Sequence, residues 1–112
     1  MNFVDAVKQC FTKYVGFEGR ASRSEYWWWA LFIFVVSLLL GAIKAGMLAN
    51  LFSLGTLLPS LAVGARRLHD IGKSGWWLLL AFIPLIGWLV LLYWAVQPSA
   101  AGDNAYGAPP TA

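Results

Sequence analysis

The chain has 112 residues, of which 60% are hydrophobic and 12% charged, against roughly 45–50% apolar and about 25% charged in an average soluble domain. So short a chain leaves much of its surface exposed after folding and has no means of hiding seven Trp and seven Phe from water, so lipid is the expected solvent. The formal charge of +3 comes without a basic stripe on a soluble module, which leaves no nucleic acid among the expected partners.

The first apolar run begins only at Tyr26 and outlasts an ordinary signal-peptide core, so the first segment is expected to stay in the protein. Before it, residues 2–15 place Phe3, Val4, Val7, Phe11, Tyr14 and Val15 on one side at helical spacing, with Asp5, Lys8, Gln9, Thr12 and Lys13 opposite. This predicts an amphipathic helix capped by Gly16, lying in the membrane interface with Lys8 and Lys13 toward anionic headgroups. A helix packed on the protein's own charged face is the alternative.

Cys10 is the single cysteine, which excludes an intrachain disulfide, and one histidine leaves no paired-ligand spacing, so no metal or other cofactor is expected.

Ser22-Arg23-Ser24-Glu25 fits the S-x-x-E capping box at the start of a spanning helix. Trp27, Trp28 and Trp29 follow at headgroup level. Uncharged runs over 26–43 and 47–65 each approach the ~20 residues that cross a hydrocarbon core, and Lys44 marks the hairpin between them. The pairs Ala42 with Gly46 and Ser60 with Gly64 suit close helix packing. A third uncharged run, 76–96, contains Pro84 and Gly87 and reads as one bent span, with a re-entrant pair of half-helices as the alternative. The tail over 97–112 is rich in Pro, Gly and Ala, lacks apolar periodicity, and reads as extended or disordered.

With three spans, seven of the eight cations fall on one side: Lys8, Lys13, Arg20, Arg23, Arg66, Arg67 and Lys73, with Lys44 alone opposite. The bias predicts a cytoplasmic N-terminus and a cytoplasmic 66–75 loop, with the C-terminus outside the cytoplasm. Trp27, Trp28, Trp76 and Trp77 then serve as anchors at one interface.

The stretch RRLHDIGKSGWW, Arg66 to Trp77, joins spans two and three beside FEGRASRSE, and basic loops of this kind commonly just fix topology and touch lipid phosphate. The admixture of Glu18, Glu25 and Asp70 also allows arginine–carboxylate pairs that would turn two loops into one defined platform. A phosphate-loop reading of Gly72-Lys73-Ser74 fails because Arg67 stands where that motif needs its first glycine. His69 and Asp70 are adjacent and diverge on a helix, and neither Ser74 nor Cys10 comes with a base and an orienting group. A proton-coupled transporter would place an ionisable group at mid-membrane, and these runs contain none.

GRASRSEYWWW, LPSLAVGARRLHDIGKSGWW and IPLIGW together resemble the domain-of-unknown-function 805 family of small bacterial inner-membrane proteins. Its G-R-x-x-R-x-E-[YF]-W element corresponds to Gly19, Arg20, Arg23, Glu25, Tyr26 and Trp27, and its R-R-L-H-D and W-W elements to Arg66–Asp70 and Trp76–Trp77. The family ending P-G-x-x-G-x-N-x-[YF]-G is matched by Pro98, Gly102, Asn104, Tyr106 and Gly107, with Ser99 and Ala100 departing. The resemblance implies location in the bacterial inner membrane and carries no enzymatic activity to transfer.

The expectation is therefore a single-domain, all-α integral membrane protein, with three transmembrane helices preceded by an interfacial amphipathic helix. Its expected role is that of a non-enzymatic scaffold or adaptor whose cytoplasmic platform binds anionic lipid headgroups, a protein partner or a second copy of itself. Arg20, Arg23, Arg66, Arg67 and Lys73 would supply the contacts, with Glu25, His69 and Asp70 in the same site. An oligomeric channel or transporter component is the runner-up. A membrane enzyme using His69 and Asp70 is the third reading.

Overall fold

A computed structural model describes residues 2–108, in which the regular elements are helices: α1 at Phe3–Thr12, α2 at Arg23–Ala42, α3 at Gly46–Asp70, a 3-10 helix at Gly75–Phe82 and α4 at Ile86–Ala95. Two of these, α2 and α3, are long and apolar enough to cross a membrane. Their outward faces carry Phe34, Leu38, Leu39, Met47, Leu51 and Leu54, all exposed, a continuous apolar surface that suits lipid and would be a liability in water.

α1 starts because the Asn2 side chain accepts the Asp5 amide at 2.8 Å and Asp5 sits in the first turn, where the helix dipole favours an anion. Its buried stripe, Ala6 and Cys10, packs on α2 around Trp29 and Val63 of the core. The same contact is made by edge-on aromatic pairs: Phe3 on Trp28 at 5.8 Å and Phe11 on Trp29 at 5.2 Å. Gly16 does not form the expected cap. α1 ends at Lys13, and Gly16 turns back onto the Lys13 carbonyl, so close that a Cβ would lie 2.8 Å from Lys13 Cβ.

α2 and α3 form an antiparallel pair joined at Lys44, whose positive φ of 55° makes the tight reversal. At 1.5 Å per residue they are about 30 and 37 Å long. Trp29 is buried between them and donates its indole N–H to Ser60 Oγ at 3.0 Å.

Pro59 lies inside α3 and is buried. Having no N–H, it leaves the Gly55 carbonyl without its helical donor. The Tyr14 hydroxyl, arriving from the segment after α1, donates to that carbonyl, so a polar group at span depth is satisfied from another element.

The third apolar run is not a single bent span. Gly75–Phe82 is a 3-10 helix, Ile83 to Leu85 turn sharply with Leu85 at φ 65°, and α4 runs back. At about 16 and 15 Å, neither arm crosses the ~30 Å core. The arms close on each other at Gly87, where a Cβ would lie 1.8 Å from the Leu80 carbonyl oxygen. The Trp88 indole donates to Ala81 O at 2.8 Å across the same turn. Gly64 of α3 admits Leu78, whose Cδ2 would be 3.3 Å from an added Cβ.

Both ends of this hairpin lie at the charged end of the α2/α3 pair. Gly75 abuts Ala65 and His69, while the carbonyls of Ala95, Val96 and Gln97 accept from Trp27, Arg23 and Arg67. The segment therefore begins and ends at one end of the α2/α3 pair, the end opposite Lys44.

Candidate functional site

The charged end is built from the last turns of α3, the entry to α2 and the tail. Helix α3 places Arg66, Arg67, His69 and Asp70 on successive faces of its final turn, and all four are buried. Ser22 caps α2 by accepting the Glu25 amide at 3.2 Å, the first half of the predicted box. The second half is missing, because the Glu25 carboxylate turns across to Arg66, whose Nη1 donates to Oε2 at 2.6 Å with both side chains buried.

Asp70 is the hub of the second cluster. Its Oδ1 accepts from Arg20 Nε at 3.0 Å, and its Oδ2 accepts from Arg67 Nη1 at 2.8 Å and from the Ser99 hydroxyl. Arg20 spends all of its donors. Besides the Oδ1 contact, Nη2 donates to Asp70 O at 3.1 Å and Ala100 O at 2.8 Å, and Nη1 to Gly102 O at 2.8 Å and Gly107 O at 3.1 Å. A guanidinium has five N–H groups in a fixed fork, and here each meets an oxygen.

The tail, expected to be extended or disordered, is held by hydrogen bonds to the node over its described residues; residues 109–112 of that expectation lie outside the description. Ala100 N–H donates to Asp70 O at 3.0 Å, Asn104 Nδ2 to His69 O at 2.9 Å, and Asn104 and Gly107 pair through their backbones. Gly102 and Gly107 adopt φ of 66° and 119°, values that favour glycine. Tyr106 stacks on His69, ring centroids 3.9 Å apart and planes 1° off parallel. No apolar period signals this docking, but the family ending cited above marks Gly102, Asn104, Tyr106 and Gly107, the residues that make it.

His69 forms no dyad with Asp70. Its Nδ1 lies 2.9 Å from the Gly19 carbonyl; a carbonyl only accepts, so Nδ1 carries a proton, and in the neutral ring Nε2 is the acceptor.

The node disposes of the candidate contacts in two ways. Arg20, Arg66 and Arg67 are 6%, 0% and 2% exposed, and together with Glu25 and Asp70 they are consumed internally. These three guanidinium groups thus face buried carboxylates and carbonyls rather than the surface; in a buried setting an arginine stabilises only if its charge is matched. Arg23 remains exposed, bonded to Val96 O at 3.1 Å, and Lys73 sits half-buried with its ammonium 5.4 Å from the Trp94 ring centre. Trp27, Trp28, Trp76 and Trp77 are exposed at this end, Trp27 while donating to Ala95 O at 2.9 Å.

Sequence reasoning overlooked Cys10 as a member of the node. Its thiol is fully buried and directed at Glu25 Oε2, 3.8 Å away. Burial first, then the Glu25 carboxylate, pushes its pKa up to about 12, with Arg66 opposing. Among the described residues no group of three or more His, Cys, Asp or Glu is arranged to hold a metal ion.

Residues 14–108 match the model of the family described as Protein of unknown function (DUF805). The chain is 47% identical over 104 residues to the inner membrane protein YhaI of Escherichia coli (strain K12), covering 87% of each. It is 44% identical over 107 residues to inner membrane protein YhaH of the same strain, covering 87% of this chain and 88% of that one. The uncharacterized protein YiiR of that strain is 36% identical over 88 residues, 73% of this chain and 58% of its own length. No solved structure matches the chain.

Proposed function

From the premise that the chain belongs to the DUF805 family, we propose that it is a non-enzymatic inner-membrane scaffold whose cytoplasmic end holds anionic lipid. The observation that carries the reading is the division of cations at that end. Three guanidinium groups are locked inward on two carboxylates, while Lys8 and Arg23 are exposed and Lys73 is half-buried, so these three form the proposed rim. The inner set fixes the shape and the outer set supplies attraction, each rim cation being worth about 1 kcal/mol near an anionic surface.

Seven cations at one end against Lys44 at the other favour that end in the cytoplasm. α2 and α3 then cross the membrane, the hairpin dips in and returns, and both termini face the cytoplasm. Half-buried α1 keeps Val4 and Phe11 exposed, as is Val15 just beyond its end, which suits a helix at the lipid interface that also packs on the protein.

The test uses nanodiscs of phosphatidylcholine doped with phosphatidylglycerol, with lipid retention read by native mass spectrometry. Wild type is expected to retain the anionic lipid in preference to phosphatidylcholine, and the combined variant Lys8→Gln, Arg23→Gln, Lys73→Gln to lose that preference. Equal retention by the two proteins overturns the assignment of the rim cations.

A further inference from the structure

Between α3 and the 3-10 helix lies a cavity of about 390 Å³, lined at one end by His69, Ser74 and Gly75 and at the other by Leu61, Leu78 and Leu79. Its size is that of a small-ligand site. Leu61 is eight residues before His69 on one helix, so the lining passes from polar to apolar over about 12 Å. An occupant matching that gradient has a polar head at the charged end and a chain directed into the membrane.

The polar end is specific. His69 is 9% exposed, clamped by Tyr106 stacking and by its Nδ1 bond to Gly19. Its Nε2 has no hydrogen-bond partner among the described residues and faces the cavity beside Gly75, where an added Cβ would lie 3.5 Å from it. In the neutral imidazole this nitrogen accepts and is matched by a donor. Ser74 Oγ accepts the Trp76 amide at 3.3 Å, which leaves its own O–H to donate. The node behind them has three guanidinium groups against two carboxylates, an excess of one positive charge that favours an anion and disfavours an ammonium.

We propose that this cleft holds one anionic phospholipid whose headgroup ends in a free hydroxyl. The hydroxyl donates to His69 Nε2, Ser74 donates to the phosphate, and an acyl chain lies along Leu61, Leu78 and Leu79. The proposal rests on the anionic-lipid reading above and deepens it from attraction at the rim to recognition of one headgroup.

The experiment offers phosphatidylglycerol, phosphatidylmethanol and phosphatidylcholine in equal amounts in nanodiscs and counts retained molecules by native mass spectrometry. Phosphatidylmethanol has the same phosphate charge and no headgroup donor. Wild type should retain phosphatidylglycerol about fivefold over phosphatidylmethanol, the worth of one net hydrogen bond. His69→Asn keeps a donor for Gly19 and removes Nε2, and should equalise the two anionic lipids while both still exceed phosphatidylcholine. Leu79→Trp, at an exposed position on the apolar wall, should displace the bound lipid without touching the hydrogen bonds.

Equal retention of the two anionic lipids by wild type, both above phosphatidylcholine, overturns the headgroup site and leaves the rim reading standing. Indifference among all three lipids overturns both. A wild-type preference that persists in His69→Asn also overturns the site.

Discussion

Glu25 has two possible partners, the amide at the start of its own helix and the guanidinium of Arg66, and it takes the second. A helix cap is worth about 0.5–2 kcal/mol, whereas a buried charge stripped of its partner costs about 3–5 kcal/mol. Glu25→Gln is therefore expected to lower unfolding stability in detergent by that larger amount, and the double variant Glu25→Gln/Arg66→Met by clearly less, because the orphaned charge is gone. Equal losses in denaturant titrations of the two variants would show that Arg66 does not depend on Glu25. Among the described residues the Nε and Nη2 of Arg66 have no hydrogen-bond partner, so this single bridge is what matches its charge.

Cys10 gives the same node a chemical readout. With its pKa raised from the ordinary 9.0 to about 12, the folded thiol stays neutral where the unfolded one ionises. The folded state then holds the proton more tightly. This contribution to stability is complete below pH 9 and is lost as pH rises from 9 toward 12. At pH 8, alkylation of native Cys10 should be on the order of 1000-fold slower than in denaturant, since the thiolate is the nucleophile. A native rate within tenfold of the denatured rate would contradict the buried thiol.

Among the elements, α3 is the one whose integrity is shared. Pro59 deprives Gly55 of its helical donor and Tyr14 supplies another. Tyr14→Phe should cost about 1–3 kcal/mol, the cost of a carbonyl left without a donor where the surroundings are lipid rather than water. Pro59→Ala restores a donor within the helix, so Tyr14→Phe in that background should cost markedly less. Additive losses in a denaturation cycle would mean that the hydroxyl and the proline are unrelated.

For the whole molecule, the proposed topology has two crossings, with the hairpin and the docked tail on the same end as the start of α2. Single cysteines introduced in a Cys10→Ser background provide the check. A cysteine at position 44 should react with an impermeant maleimide on intact cells, whereas cysteines at positions 2 and 101 should react only after lysis. Labelling of position 101 from outside would restore the three-span arrangement. Cutting the tail's tether by Arg20→Ala should also raise proteolysis around residues 100–107, because one side chain holds three of its carbonyls.

What the amino-acid sequence determined by itself was whatever depends on neighbours along the chain. The apolar runs require lipid, the positions of Ser22 and Lys44 mark the start of α2 and the reversal to α3, and the charge count separates the two ends. It left open whether 76–96 crosses or returns, since Pro84 and Gly87 allow either; only the fit of Gly87 against Leu80 and the capture of Ala95, Val96 and Gln97 by side chains of α2 and α3 decide that. The candidate site was legible as a set of residues, Arg20, Glu25, Arg66, Arg67, His69 and Asp70, but its sense was not. Arg67 meets Asp70 within one helical turn, but whether Arg66 and Arg20 face lipid phosphate or a buried carboxylate depends on Glu25 and Asp70, 41 and 50 positions away. No local period encodes such pairings, because they exist only once burial has raised the cost of an unpaired charge above the cost of ordering the tail.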